Sequence, residues 1–388
     1  MKTILFIHQS AELYGSDKTL LLLLKNLDRK RYRPVVILPA TGPLRNALEA
    51  EGIVVVTGPV LKLYRKMFTP GGVIQFITDV RSAYTILGRL DKEYHFDLVY
   101  SNTLAVLLGW FYAKRKHLPH LWHIHEIIES PSVIRKAFIR LLGSPVNTVI
   151  VHNSEATRNF WCVNQCIASR SRVVLNGIET KQAESNAGYI EEVREKTLGL
   201  LPHEKAIALV GRISRWKGQG LLLEAFSLLA PQFPQARLVF VGSPPPGQDA
   251  FLFDLQKKIN HYGLENRVVL LPFQDDISSI WKAIDIAVVP STEPEPFGMV
   301  AIEAMLAGKP VVASAHGGLT EIVKDGQTGC LVPPRDASAL ANALANLLKD
   351  ESLINAMGLE GRKRAMEEFS VQRYADNLSR IFDEITAR

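Results

Sequence analysis

Residues Glu293-Pro294-Glu295-Pro296-Phe297-Gly298-Met299-Val300-Ala301-Ile302-Glu303-Ala304-Met305 lie between two apolar runs, Ile286-Ala287-Val288-Val289-Pro290 and Lys309-Pro310-Val311-Val312-Ala313-Ser314. The first run reads as a buried strand. Gly298 then opens a helix that ends near Gly308, and the second run resumes a strand. Two carboxylates, Glu295 and Glu303, fall eight residues apart across this strand, loop and helix. Gly298 lets the backbone come close to a ligand, and the first N–H groups of the helix favour an anion. Such a junction suits a phosphate held by amides and sugar hydroxyls held by carboxylates. The plainer alternative is two solvated glutamates beside an ordinary helix start.

The same grammar runs through the whole chain. In the first half, strands are expected at 3–7, 34–38, 53–56, 98–100, 121–123 and 148–151; in the second, at 206–210, 237–241, 268–271, 286–289 and 311–313. Each is a short continuous apolar run, as for strands covered on both faces. Strands alternating with helical stretches imply parallel sheets with right-handed crossovers. Two sets of strands imply two doubly wound α/β domains, with ligands beyond the carboxyl ends of the strands and a cleft combining both sets. The divide falls between Asn176-Gly177-Ile178-Glu179 and Leu201-Pro202, and the polar segment 180–198 reads as a linker with a short charged helix. We therefore expect domains at 1–180 and 200–368. A last helix at 369–388 has Tyr374, Leu378, Ile381, Phe382 and Ile385 at helical spacing.

The chain has 388 residues, 47% hydrophobic and 22% charged, ordinary values for a globular protein of two or three domains. No apolar run reaches the length of a membrane span. The start, Met1-Lys2-Thr3-Ile4-Leu5-Phe6-Ile7-His8, reads as a buried strand rather than a signal peptide, so a cytoplasmic protein is expected. Three cysteines, Cys162, Cys166 and Cys330, make no disulfide framework and no zinc pattern. Charge is uneven: residues 1–185 carry 24 Lys and Arg against 14 Asp and Glu, net +10, and the remainder 21 against 25, net −4. The clusters Lys62-Leu63-Tyr64-Arg65-Lys66, Lys114-Arg115-Lys116 and Arg135-Lys136 with Arg140 read either as solvated helix faces or as contacts for an anionic membrane surface. They lack the interleaved aromatics of a nucleic-acid module.

Several loops after strands carry chemistry. Gly211-Arg212-Ile213-Ser214-Arg215-Trp216-Lys217-Gly218 follows the first strand of the second half, where Arg212 and Lys217 can hold a phosphate. The loop from His8 to Thr19 has one glycine, Gly15, and so matches neither a dinucleotide fingerprint nor a phosphate-binding loop of the nucleotide-hydrolase type. His123 and His125 share one strand face. With no third ligand apparent, a metal is not expected; a structural role suits His123, and a hydrogen bond to a sugar hydroxyl suits His125. His316-Gly317-Gly318-Leu319-Thr320-Glu321 has two glycines that permit close backbone approach, and Asp325 to Gly329 reads as a turn.

Taken together, Gly211-Arg212, Lys217-Gly218, Glu295-Pro296-Phe297-Gly298, Glu303-Ala304, Gly308-Lys309-Pro310 and Gly317-Gly318 with Glu321 occur in an order and spacing that resemble the retaining glycosyltransferases of the GT-B fold, family four. The resemblance is strongest over 205–335; in the first half it rests on the loop around Gly15, on His125-Glu126 and on Asn176-Gly177. It implies an N-terminal acceptor-binding domain, a C-terminal domain binding a nucleotide-diphosphate sugar, and a final helix that crosses back onto the N-terminal domain. It also implies roles: Arg212 and Lys217 on the diphosphate, Glu303 on the ribose, Glu295 and His125 on the donor sugar, assistance from the amides of Phe297, Gly298, Met299 and Val300, and Gly15 near the donor. Catalytic roles would fall to His125, Arg212, Lys217 and Glu295. The expected reaction moves a sugar, with retention and without a metal or cofactor, to a hydroxyl of a glycan or lipid-linked glycan in bacterial surface polysaccharide synthesis, at the inner face of the membrane. A GT-B sugar-nucleotide epimerase and a non-catalytic nucleotide-sugar-binding subunit are the alternatives. The chain departs from the family at Leu270-Leu271-Pro272-Phe273, where a proline removes a backbone donor that helps to seat the base, and in the loop 10–18, which lacks paired glycines.

Overall fold

A computed structural model describes residues 1–62, 70–180 and 186–387. The chain divides into two units, Met1–Ile178 with Val371–Arg388, and Glu179–Ser370. The first holds a parallel sheet of β1 (Lys2–His8), β2 (Tyr32–Leu38), β3 (Val54–Thr57), β4 (Leu98–Asn102), β5 (His120–Ile124), β6 (Asn147–His152) and β7 (Ser171–Val173), in the order β3-β2-β1-β4-β5-β6-β7. The second holds β8 (Lys205–Val210), β9 (Ala236–Val241), β10 (Val268–Leu271), β11 (Ile286–Val289), β12 (Val311–Ser314) and β13 (Gly329–Val332), in the order β10-β9-β8-β11-β12-β13. In both sheets the direction of winding reverses beside the first strand, between β1 and β4 and between β8 and β11. In such sheets the crevice at the carboxyl ends of these two strands is the place for a ligand.

The continuous apolar runs follow from burial on both faces. Ile4 and Phe6 of β1 join one core with the helices Gly15–Lys25, Pro43–Ala50 and Val371–Thr386, while Leu5 and Ile7 join the opposite core with Pro70–Tyr94, Leu108–Lys116 and Ser132–Leu142. Tyr374, Leu378, Ile381, Phe382 and Ile385, all on one stripe of the last helix, are buried in the first of these cores.

The short charged helix expected in the segment 180–198 is Ala187–Glu192; Val193–Thr197 continues it as a π-helical turn, and Arg194 donates to the Ala283 carbonyl at 2.6 Å and to Asp285 at 3.1 Å. The two edge strands β7 and β13 are missing from the sequence reading because neither stands out as an apolar run: β7 is Ser171-Arg172-Val173, and β13 starts on Gly329, where the expected turn at 325–329 ends. The basic run Lys114-Arg115-Lys116 is exposed at the end of the helix Leu108–Lys116, and each of its side chains has a neighbour. Lys114 lies over the Trp110 ring at 5.1 Å, Arg115 over Tyr84 at 4.9 Å, and Lys116 pairs with Asp91 at 2.8 Å. Arg65 and Lys66 lie outside the described residues. No described helix is long and apolar enough to cross a membrane.

Candidate active site

In the second unit, the loop 211–218 leaves β8 and the loop 290–298 leaves the adjacent β11, so the reversal of the sheet brings them together. Thr292 N–H donates to the Trp216 carbonyl at 2.8 Å. Gly218 has φ +83°, and a Cβ there would stand 2.0 Å from the Pro290 carbonyl oxygen, so only glycine permits this approach. The result is a direct contact between two predicted site residues. Lys217 Nζ donates to Glu295 Oε1 at 2.7 Å, and Ser291 Oγ donates to the same oxygen at 2.6 Å. The pair is largely buried, with side-chain exposures of 17% and 6%. Lys217 also sits over the Trp216 ring at 4.2 Å. Arg212 is exposed at the mouth of the same loop, its carbonyl held by Gln219 Nε2 at 2.8 Å.

The helix Met299–Leu306 begins directly after this loop, and Trp281 Nε1 donates to Glu303 Oε2 at 3.3 Å. The amides of Phe297 to Val300 lie at its start, where helix N–H groups attract an anion. The Phe297 side chain itself is buried and stacks edge-on against Phe369. Gly298 has φ +123°, a backbone conformation that side chains rarely adopt, and a Cβ there would also meet the end of the Leu319 side chain at 2.7 Å. Gly317 serves the neighbouring backbone in the same way, since a Cβ there would lie 2.3 Å from the Glu295 carbonyl oxygen, and Gly318 N–H donates to that oxygen at 2.8 Å. His316 Nε2 meets the Ser291 carbonyl at 2.8 Å. The turn 316–318 thus braces the segment that carries Glu295. At the end of β10, beyond Pro272, the Phe273 N–H donates to Ser243 Oγ at 3.1 Å.

In the first unit, the ends of β1 and β4 carry His8 and Asn102, and the end of β5 carries His125. Gly15 starts the helix 15–25 with φ +21°. His125 is half-buried, and its Nε2 lies 2.9 Å from Asn102 Oδ1. Burial pulls its pKa down to about 3, with repulsion from His8 adding to the effect. His123 is fully buried, pairs through Nδ1 with the Tyr100 hydroxyl, and is pushed well below the ordinary histidine range by burial. It is a core residue. Among the described residues no cluster of three or more His, Cys, Asp or Glu side chains has the arrangement to hold a metal.

Sequence reasoning missed Ser291, Trp281 and Asn102, and it quoted His316, His8, Asp17 and Glu126 within motifs without giving them partners, which nothing in their spacing supplies. Glu126 Oε2 accepts the backbone N–H groups of His125 and Leu104, each at 3.0 Å, and ties the ends of β4 and β5 together. Burial raises its pKa from an ordinary 4.5 to about 7, against the lowering effect of those amides. Because the folded chain holds this proton more tightly than the unfolded chain, the contribution is favourable below pH 4.5 and is lost as pH rises to about 7. Thermal melts of wild type and Glu126→Gln between pH 5 and 8 test this. The variant is expected to gain on wild type as pH rises, by up to about 3 kcal/mol; parallel curves would refute it.

The chain matches the family described as Glycosyl transferases group 1 over residues 191–364 and Glycosyltransferase Family 4 over residues 14–182. It is 35% identical over 307 residues to the D-inositol 3-phosphate glycosyltransferase of Corynebacterium jeikeium, covering 75% of this chain and 73% of that protein. It is 29% identical over 272 residues to the enzyme of that name from Mycobacterium marinum, where the match spans 66% of this chain and 57% of the relative. The fold is similar to the crystal structure of Anabaena Alr3699/HepE in complex with UDP-glucose, with a TM-score of 0.84, 27% identity, and coverage of 99% of this chain and 100% of that one.

Proposed function

This chain belongs to the group 1 glycosyl transferases of glycosyltransferase family 4, and from that premise we propose that it moves a hexosyl group from a nucleoside-diphosphate sugar to a hydroxyl of a glycan or lipid-linked glycan, with retention at the anomeric carbon. The observation that carries this reading is the joining of Lys217, Glu295 and the start of the helix 299–306 at the point where the second sheet reverses. In this reading Arg212, Lys217 and the amides of Phe297 to Val300 take the diphosphate, Glu303 the ribose hydroxyls, and Glu295 the sugar. As the sugar–phosphate bond breaks, the diphosphate gathers negative charge, and fixed cations and amides stabilise it electrostatically without a metal. The departing phosphate oxygen then takes the acceptor hydroxyl's proton on the face where the new bond forms. Gly15 and His125 belong to the same chemistry in the first unit. The net charge of +10 over residues 1–185 supports work at an anionic membrane surface, on an acceptor of a bacterial surface polysaccharide.

UDP-hexoses stand first among donors, because the likeness to the UDP-glucose-bound structure extends over nearly the whole chain. A thermal-shift panel of UDP-, GDP- and ADP-sugars tests this. A donor present at a hundred times its dissociation constant stabilises the folded state by about 2.7 kcal/mol, which amounts to several degrees. No shift with any nucleotide sugar would overturn the reading; a shift with GDP- or ADP-sugars alone would overturn the choice of base.

A further inference from the structure

Beneath His125 runs a row of polar side chains that the proposed transfer does not use. Asp17, His8 and Asn102 are 3%, 0% and 1% exposed. Burying a carboxylate, an imidazole and an amide together costs free energy that apolar side chains would avoid, so each must be fully satisfied. They are satisfied by one another. Asp17 Oδ1 meets His8 Nε2 at 2.6 Å, while Oδ2 accepts from Ser10 Oγ at 3.3 Å and from Tyr14 N–H at 3.0 Å. His8 Nδ1 meets Asn102 Nδ2 at 2.9 Å, and Asn102 Oδ1 meets His125 Nε2 at 2.9 Å.

The direction of every hydrogen bond in this row follows from the chemistry of its ends. A carboxylate only accepts, so His8 Nε2 carries a hydrogen toward Asp17. Nδ1 lies 3.4 Å from the Asn102 carbonyl oxygen and 2.9 Å from Asn102 Nδ2, and the shorter contact, to a group that only donates, takes it as an acceptor. Asn102 Nδ2 supplies one hydrogen to that nitrogen and the other to the Ser16 carbonyl at 3.3 Å. The reverse orientation of the amide would set Asn102 Oδ1 against the Ser16 carbonyl, two acceptors face to face. Oδ1 therefore points at His125, and His125 Nε2 has to donate.

We propose that Asn102, backed by His8 and Asp17, is a positioning residue that holds the His125 ring with its hydrogen on Nε2, leaving Nδ1 as an acceptor for a hydroxyl of the substrate sugar. The second half of this statement rests on the glycosyl-transfer reading; the first does not. Glu126 completes the arrangement from the backbone side by fixing the His125 N–H. His125 is the member of the row that is open to solvent, so an order set by a buried carboxylate is delivered to the surface as the choice of one ring nitrogen.

The test is long-range proton–nitrogen correlation on full-length protein labelled with ¹⁵N-histidine, with His125 assigned among the ten histidines by His125→Gln. Wild type is expected to show the Nε2–H form. Asn102→Leu removes the acceptor and should move His125 to a mixture or to the Nδ1–H form. Turnover with a UDP-hexose should fall in Asn102→Leu by roughly tenfold to a hundredfold, as when a group that orients a functional histidine is lost, with KM for the donor nearly unchanged. A hydrogen on Nδ1 in the wild type, a measurement that needs no variant, overturns the proposal; so does an unaltered Nε2–H form in Asn102→Leu. If the ring forms change as expected but transfer does not, the positioning row stands and the place of His125 in the reaction falls.

Discussion

Lys217→Met is expected to lower glycosyl transfer by at least about a hundredfold and to destabilise the protein, while the double variant Lys217→Met with Glu295→Gln recovers the stability and not the activity. Two effects meet at this residue. For stability, Lys217 and Glu295 form a largely buried ion pair at 2.7 Å. Removing one partner strands the other charge, at a cost of about 3–5 kcal/mol; replacing both leaves no unpaired charge, and Ser291 can still donate to the Gln carbonyl oxygen. For catalysis, the proposed role of Lys217 is to meet charge that develops on the departing diphosphate, and no neutral side chain replaces that. Arg212→Ala should show a comparable loss of turnover with a smaller change in melting temperature, because Arg212 is exposed. Initial rates with a UDP-hexose and thermal melts on the same preparations separate the two effects. Wild-type turnover in Lys217→Met would end the diphosphate assignment; a double variant no more stable than the single would show that the pair is not what couples the loops.

Phe382→Ala should destabilise the first unit by about 3–5 kcal/mol. The ring is fully buried and meets Phe6, Tyr32 and Tyr100 edge-on, with centroids 6.3, 5.7 and 5.9 Å apart. It is the central residue by which the last helix joins a core otherwise built from residues more than 170 positions earlier. Truncation leaves a cavity beneath the sheet and loosens Asp383, which accepts from the Tyr32 hydroxyl and from Arg31. Urea unfolding followed by far-UV circular dichroism reads the change as a lower midpoint at an unchanged slope for this unit. A loss under about 1 kcal/mol would mean that the helix docks without its ring.

The apolar runs that mark β1 or β11 were legible because both faces of a central strand are buried, so every residue reports the same environment. β7 and β13 were not, since Ser171 and Arg172 break the apolar run in the one and the other opens on Gly329 at the end of a turn. The stripe from Tyr374 to Ile385 announced a helix with one buried face, and that face is the one found in the core. Gly298 was legible as a position where glycine matters, whereas its φ of +123° and its contact with the Leu319 side chain were not.

The sequence by itself determined the strands other than β7 and β13, which loops follow them, and which side chains those loops carry, because hydrophobic runs and loop chemistry are local properties. The partners were decided by the tertiary structure. Lys217 and Glu295 are 78 residues apart, and His8 and Asn102 are 94 apart. Each pair meets because two strands distant in sequence are hydrogen-bonded neighbours where the sheet reverses. That adjacency is set by how the helical crossovers pack on the two faces of each sheet, and no spacing along the chain records it.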